Sequence, residues 1–228
     1  MYKILLIDLD KTLLDFDLAQ KKALIKTLEK YGVDPTDENV ELFRKINTYY
    51  WEEYEKERIT KKELLVRRFI DFFTKFNLKR DCEEANTSFL LELSYGSDII
   101  ENADVVLESL FSRVDIYAVT NGVYNTQKRR VEESGLKQYF TDIFVSEKIG
   151  YQKPKKEFFD FVFDSLKSKY GEINKEEVII VGDSLSADII GGIEYNIDTC
   201  WYNPKGKTTD LKPTYVISNI LDLIDICK

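Results

Sequence analysis

The 228 residues are 43% apolar and 32% charged, with 10 glycines and 4 prolines; such a chain can bury a sizeable core and is neither low-complexity nor fibrous. A net charge of −8 sets a like-signed field against nucleic acid and anionic membrane, so neither is expected as a partner. The absence of histidine excludes Ser-His, Cys-His and His-ligated zinc chemistry, which leaves carboxylates, lysine and hydroxyls, with or without a hard cation.

The first predicted element is the strand Ile4-Leu5-Leu6-Ile7, which runs into two carboxylates one residue apart, Asp8 and Asp10, and then Thr12. From about Leu18 to Leu93 apolar residues recur at three and four, as in Leu24, Leu28 and Tyr31 or Val40, Phe43, Ile46 and Tyr50, which predicts a bundle of about four helices. Asp34-Pro35-Thr36 separates the first two, and Thr60-Lys61-Lys62-Glu63 is a capping box that starts the third. Beyond Tyr95-Gly96-Ser97 strands and helices alternate. A helix from about Ile99 to Phe111 leads to the strand Val114–Thr120, followed by a helix from Thr126 to Glu133 and a short strand at Ile143–Val145. Pro154 opens a helix containing Phe158 to Leu166, and Val178–Val181 is the most continuous apolar strand. A helix from Ser186 to Tyr195, strands at Thr199–Tyr202 and Tyr215–Ile217, and a last helix near Leu221–Ile226 complete the chain.

Short, nearly all-apolar strands alternating with helices predict an α/β fold, a Rossmann-like parallel sheet with flanking helices, plus an inserted all-helical cap domain. The expected boundaries are 1–16 and 97–228 for the core and 17–96 for the insertion. No apolar run approaches the length of a secretory or membrane-spanning segment, and the three widely spaced cysteines suit reduced thiols, so a cytoplasmic protein is expected.

Ligands of such sheets lie beyond the carboxyl ends of the strands, where the polar residues are Asp8 and Asp10, Thr120 and Asn121, and Gly182, Asp183 and Ser184. Each motif alone has a plain structural reading. Strand-terminal aspartates cap helices, Asn121-Gly122 suits a turn, and Lys153-Pro154 starts a helix with a solvated lysine. Together and in order, however, Asp8-Leu9-Asp10-Lys11-Thr12, Thr120, Lys153 and Gly182-Asp183 with Asp188 resemble the haloacid dehalogenase-like hydrolase superfamily.

The resemblance implies a phosphatase acting through an aspartyl phosphate. Asp8 would be the nucleophile, Asp10 the general acid and then base, Lys153 the cation that holds nucleophile and phosphoryl oxygens, and Thr120 a donor to the phosphoryl group with the amides around Asn121 and Gly122. Asp8, Asp183 and Asp188, with the backbone carbonyl of Asp10, would hold Mg²⁺. The superfamily's dehalogenases lack the second acid and need no metal, so Asp10 and the Asp183/Asp188 pair favour phosphoryl transfer.

The insertion resembles the helical cap of the superfamily's first subclass, with hinges at Phe16-Asp17 and Tyr95-Gly96-Ser97, and such a cap would choose the leaving group. Ile46 to Trp51, Arg67-Arg68-Phe69, the non-glycine Lys11 and Thr199 to Pro204 resemble the branch of pyrimidine 5′-nucleotidases, whose substrate would be a nucleoside monophosphate. Asn47 and Trp51, one turn apart, could bond and stack on a base, with Phe16 at the hinge, although an aromatic stripe also reads as bundle core. The competing readings are a sugar-phosphate phosphatase or phosphomutase with the same core chemistry, and a phosphate-responsive switch module. The long insertion and late Gly-Asp motif speak against the switch module. Gly206-Lys207-Thr208 echoes a nucleotide-binding loop but lacks the earlier glycine, Trp201 standing in its place, and reads as a surface turn.

Overall fold

The computed structural model describes residues 1–228. In chain order it runs β1 (Ile4–Ile7), α1 (Phe16–Tyr31), α2 (Asp37–Glu55), α3 (Lys61–Thr74), α4 (Cys82–Ser94), α5 (Ala103–Leu110), β2 (Asp115–Thr120), α6 (Tyr124–Glu133), β3 (Asp142–Val145), α7 (Ser146–Ile149), α8 (Lys156–Tyr170), β4 (Val178–Gly182), α9 (Ile190–Tyr195), β5 (Asp198–Tyr202), β6 (Tyr215–Ile217) and α10 (Leu223–Ile226). It divides into two compact units, Met1–Asp15 with Ser97–Lys228, and Phe16–Gly96.

The first unit is an all-parallel six-stranded sheet in the order β3-β2-β1-β4-β5-β6. Because side chains alternate across a strand, β1 sends Leu5 and Ile7 to one core layer and Ile4 and Leu6 to the other, and every one of them is buried. On the first face Leu5 and Ile7 pack with Val106, Leu107 and Leu110 of α5; on the second, Ile4 and Leu6 pack with Phe158, Phe159 and Val162 of α8. Truncating one such residue, for instance Leu5→Ala, would remove about 2–5 kcal/mol, since a filled interior relaxes little around a cavity.

The strand order reverses at β1: the chain moves outward through β2 and β3, then crosses to β4 on the other side. A crevice therefore opens at the carboxyl ends of β1 and β4, where the loops diverge. The two chain crossings to the insertion are tied together within this unit. Leu14 bridges Ile99, the Asp15 amide donates to the Asp98 carbonyl at 2.9 Å, and the Ile100 amide donates to the Leu13 carbonyl at 2.8 Å.

The second unit is helical and built round an aromatic centre. Phe43 lies 4.9 Å from Phe69 and 5.4 Å from Phe89, ring centre to ring centre, with Phe72 and Phe73 beside them. Helix starts follow the polar signals in the sequence. Thr36 caps α2, Thr60 and Glu63 form the reciprocal capping box of α3, and Asp81 caps α4.

Two local departures from the periodic reading occur beside the crevice. The stretch expected to be one helix from Ser186 begins as a π turn, Leu185–Ile189, before α9; a widened turn lets Asp188 face back under Gly182. Lys153-Pro154 does not open a helix either. It lies in the loop ahead of α8, where Asn121 holds it on both sides: Asn121 Nδ2 donates to the Lys153 carbonyl, and the Lys153 backbone amide donates to Asn121 Oδ1, each at 2.9 Å.

Candidate active site

β1 ends in Asp8, whose amide donates to the Val181 carbonyl of β4 at 2.9 Å and so carries the strand pairing one residue further. This fixes the Asp8 carboxylate at the sheet edge. Lys153 Nζ meets it there, donating to Asp8 Oδ1 at 2.8 Å, to Asp188 Oδ1 at 2.6 Å and to the Val119 carbonyl at 2.7 Å. Three acceptors satisfy the ammonium's three protons, which is what a cation 1% exposed requires. The second oxygen of Asp188 accepts from the Ser184 amide at 3.1 Å.

Gly182 is explained by the same packing. A Cβ at this position would run into the carboxylate of Asp188, so only glycine lets the π turn bring that acid under the end of β4. Asp183 is held from behind, its carbonyl accepting from the Trp201 indole of β5 at 3.0 Å.

Asp8, Asp183 and Asp188 bring carboxylate oxygens within 4.8 Å of one another. Three carboxylates face a single ammonium, and burial adds to their mutual repulsion. Burial, against the pull of Lys153 and with the push of Asp188 and Asp183, drives the Asp8 carboxyl well above the usual range. Burial and the Asp188 charge push Asp183 up to about 7. Burial alone would depress Lys153, but Asp188 and Asp8 outweigh it and hold the ammonium protonated. An all-oxygen cluster with surplus negative charge fits a hard divalent cation such as Mg²⁺.

Asp10 stands apart from this cluster. Its two side-chain oxygens are engaged by α6, Oδ1 by the guanidinium of Arg130 and Oδ2 by the Gln127 amide at 2.7 Å. A ligand to a cation at this site would therefore come from the Asp10 backbone, not from its side chain. Thr120 ends β2 buried, and its hydroxyl oxygen accepts from the Gly122 amide at 3.0 Å and from Gln127 at 2.9 Å. The Gly122 amide is thus committed within the loop, and the Asn121 side chain to the Lys153 backbone.

Of the residues singled out in the sequence, Asp8, Lys153, Asp183 and Asp188 converge directly and Asn121 adjoins them through its bonds to the Lys153 backbone, whereas Asp10, Thr120 and Gly122 belong to a second network that Gln127 joins. The three insertion residues sit in the helical unit. Asn47 is buried, its side-chain oxygen accepting from Arg68 at 2.7 Å; Trp51 lies edge-on to Tyr54 and packs at the Leu64 cluster; Phe16 packs on the aromatic centre. Gln127 and Arg130 were not anticipated, and Ser184 and Trp201 stood in the motifs without these contacts being foreseen. A signal for the first two was present: α6 offers Tyr124 and Val131 as its only large apolar residues, so a packed α6 must bury polar ones.

The sequence profile of haloacid dehalogenase-like hydrolases matches residues 5–202. The chain is 36% identical to the pyrimidine 5′-nucleotidase PynA of Streptococcus pneumoniae, over 98% of this chain and 94% of that protein. It is 28% identical to the pyrimidine 5′-nucleotidase YjjG of Escherichia coli, over 97% and 96%. The magnesium-bound crystal structure of the HAD-hydrolase YfnB from Bacillus subtilis superposes with a TM-score of 0.93 at 36% identity, over 99% of this chain and 98% of that one.

Proposed function

Since the chain belongs to the haloacid dehalogenase-like hydrolase family, we propose that it is a phosphatase that hydrolyses nucleoside 5′-monophosphates, pyrimidine nucleotides foremost, through a phosphoryl group carried on Asp8. The observation that carries this reading is the convergence of Asp8, Asp183 and Asp188 around Lys153, with a further carboxylate, Asp10, held two residues from the nucleophile. The nucleotide part of the reading rests on the two full-length relatives named pyrimidine 5′-nucleotidases.

An oxygen of Asp8 attacks phosphorus as the bond to the leaving oxygen breaks, and Asp10 gives its proton to the departing alkoxide. Water then attacks the same phosphorus, losing a proton to Asp10 while the phosphorus–oxygen bond to Asp8 breaks, which releases phosphate and restores both acids. Lys153 holds Asp8 oriented and offsets its charge, and the Thr120 hydroxyl donates to a phosphoryl oxygen. Asp8, Asp183, Asp188 and the Asp10 carbonyl would hold Mg²⁺, which supplies charge neutralisation at the phosphoryl oxygens. We assign the choice of leaving group to residues of the helical insertion.

Phosphate release from a panel of nucleoside and sugar monophosphates, with magnesium and with EDTA, tests the proposal. Uridine and cytidine monophosphates should lead the panel, with no turnover in EDTA or in Asp8→Asn. Faster turnover of sugar phosphates would sink the nucleotide assignment, and undiminished turnover in Asp8→Asn would sink the covalent mechanism.

A further inference from the structure

α6 buries Thr126, Gln127 and Arg130, whereas α5 and α8 of the same unit bury only aliphatic and aromatic residues. Arg130 is fully buried and Gln127 is 1% exposed, and both are spent on Asp10 and its neighbour. The Gln127 amide nitrogen carries two protons; one goes to Asp10 Oδ2 at 2.7 Å and the other to Thr120 Oγ1 at 2.9 Å. The Arg130 guanidinium binds Asp10 Oδ1 and also donates to Gln127 Oε1 at 3.2 Å.

This last bond decides which way the amide faces. A guanidinium has donors only, so it draws the Gln127 oxygen to itself and turns the NH₂ group toward Asp10 and Thr120. Gly122 permits the approach, because a Cβ there would lie 2.5 Å from the Gln127 side chain. Two consequences follow for the site. Asp10 is gripped at both oxygens, which fixes the plane of a carboxylate that the turn after β1 would otherwise leave free to rotate. Thr120 Oγ1 accepts from both Gln127 and the Gly122 amide, which fills its two lone pairs and leaves its own O–H as a donor directed elsewhere.

We infer that Gln127 and Arg130 are positioning residues for the phosphatase reaction: together they orient the Asp10 carboxyl toward the leaving group and commit the Thr120 hydroxyl to donation. The inference rests on the proposed role of Asp10 as proton donor, and it adds two residues of α6 that touch neither phosphorus nor cation. An alkoxide leaving group needs the Asp10 proton, whereas an aryl phosphate releases a stabilised phenolate that needs it far less. Misplacing Asp10 should therefore slow nucleotide cleavage more than aryl phosphate cleavage.

The test compares kcat/KM for p-nitrophenyl phosphate and uridine monophosphate in wild type, Gln127→Leu, Arg130→Lys and Asp10→Asn. A ratio taken on one preparation is independent of how much of a variant is folded. The aryl-to-nucleotide ratio should rise about tenfold or more in Gln127→Leu and Arg130→Lys, and further in Asp10→Asn. The inhibition constant for inorganic phosphate should also rise severalfold in Gln127→Leu, which frees Thr120 to turn its hydroxyl inward, and stay near wild type in Asp10→Asn. An unchanged ratio in both α6 variants beside a raised one in Asp10→Asn overturns the positioning role alone. An unchanged ratio in Asp10→Asn overturns the acid role of Asp10, and this inference with it.

Discussion

Three cations lie out of reach of water, Lys153 and Arg130 in the sheet unit and Arg68 in the helical insertion, and Lys153 and Arg68 are compensated in opposite ways. Lys153 sits between the carboxylates of Asp8 and Asp188, with Asp183 close by. Arg68 meets no acid. It donates to the side-chain oxygens of Asn47 at 2.7 Å and Asn86 at 2.6 Å, lies over the rings of Phe89, Phe69 and Phe43, and has a buried Nε without a partner. Burial accordingly holds its guanidinium down to about 9, while Lys153 is pushed upward by its acids. The difference separates two kinds of buried charge. Around Lys153 negative charge is in surplus, which a divalent cation can use; around Arg68 the positive charge is shared among neutral amides and ring faces, and its clear effect is to turn both amide oxygens inward.

Lys153→Met should have the largest effect. With the ammonium gone, the Asp8 and Asp188 carboxylates stay buried without their partner, so about 3–5 kcal/mol of stability should be lost, along with phosphatase turnover. Urea unfolding and phosphate release read the two effects.

A metal-free pH series reads the surplus negative charge around Lys153 directly. Burial and Asp188 push the Asp183 carboxyl up to about 7 from the usual value of about 4, so the folded state holds an extra proton between those values. The contribution of this group to stability in EDTA should therefore be fully present below about pH 4 and be lost as pH rises through about 7, which should lower Tm by several degrees between pH 5 and 8. Magnesium should remove most of that decline, and a flat metal-free profile would contradict the crowding of the three acids.

On the Arg68 side the expected changes are smaller and can reverse. Arg68→Met alone strands two buried amide oxygens and should cost about 1–3 kcal/mol in urea unfolding. Replacing Arg68 by Met together with Asn47 and Asn86 by the isosteric Leu should recover that loss or exceed wild-type stability. No matching apolar rescue exists at Lys153, where the partners are themselves the proposed machinery. Smallest of all, Thr60→Ala removes the cap of the helix that carries Arg68 and should cost about 1 kcal/mol without altering turnover of p-nitrophenyl phosphate.

The two units also differ in how much of them could be read in advance. The parallel sheet was legible because β1, β2 and β4 are short apolar runs ending in polar residues, and the helical insertion because its apolar residues recur at helical spacing. The capping box at Thr60 was legible for the same local reason: both partners lie within one turn. The π turn at Leu185–Ile189 was not, because one extra residue in a turn barely disturbs the apolar period. Nor was the loop conformation of Lys153-Pro154, which depends on Asn121, 32 residues away.

Which chemical groups are available, and in what order, is written locally in the chain: two acids after the first strand, a hydroxyl after the second, a lysine before α8 and an acidic pair after the fourth. The sequence by itself determined them because a strand end, a turn and a helix start are local and leave local signatures. Only the tertiary structure decided that Asp10 is bound by Gln127 and Arg130, that Asn121 grips Lys153, that Asp188 needs Gly182 to be bare, and that Asn47 answers to Arg68. Each of these is a contact between groups that lie apart on the chain or are brought together by an irregular turn. Hydrogen-bond direction and charge compensation are properties of the packed neighbourhood, and no window of sequence contains it.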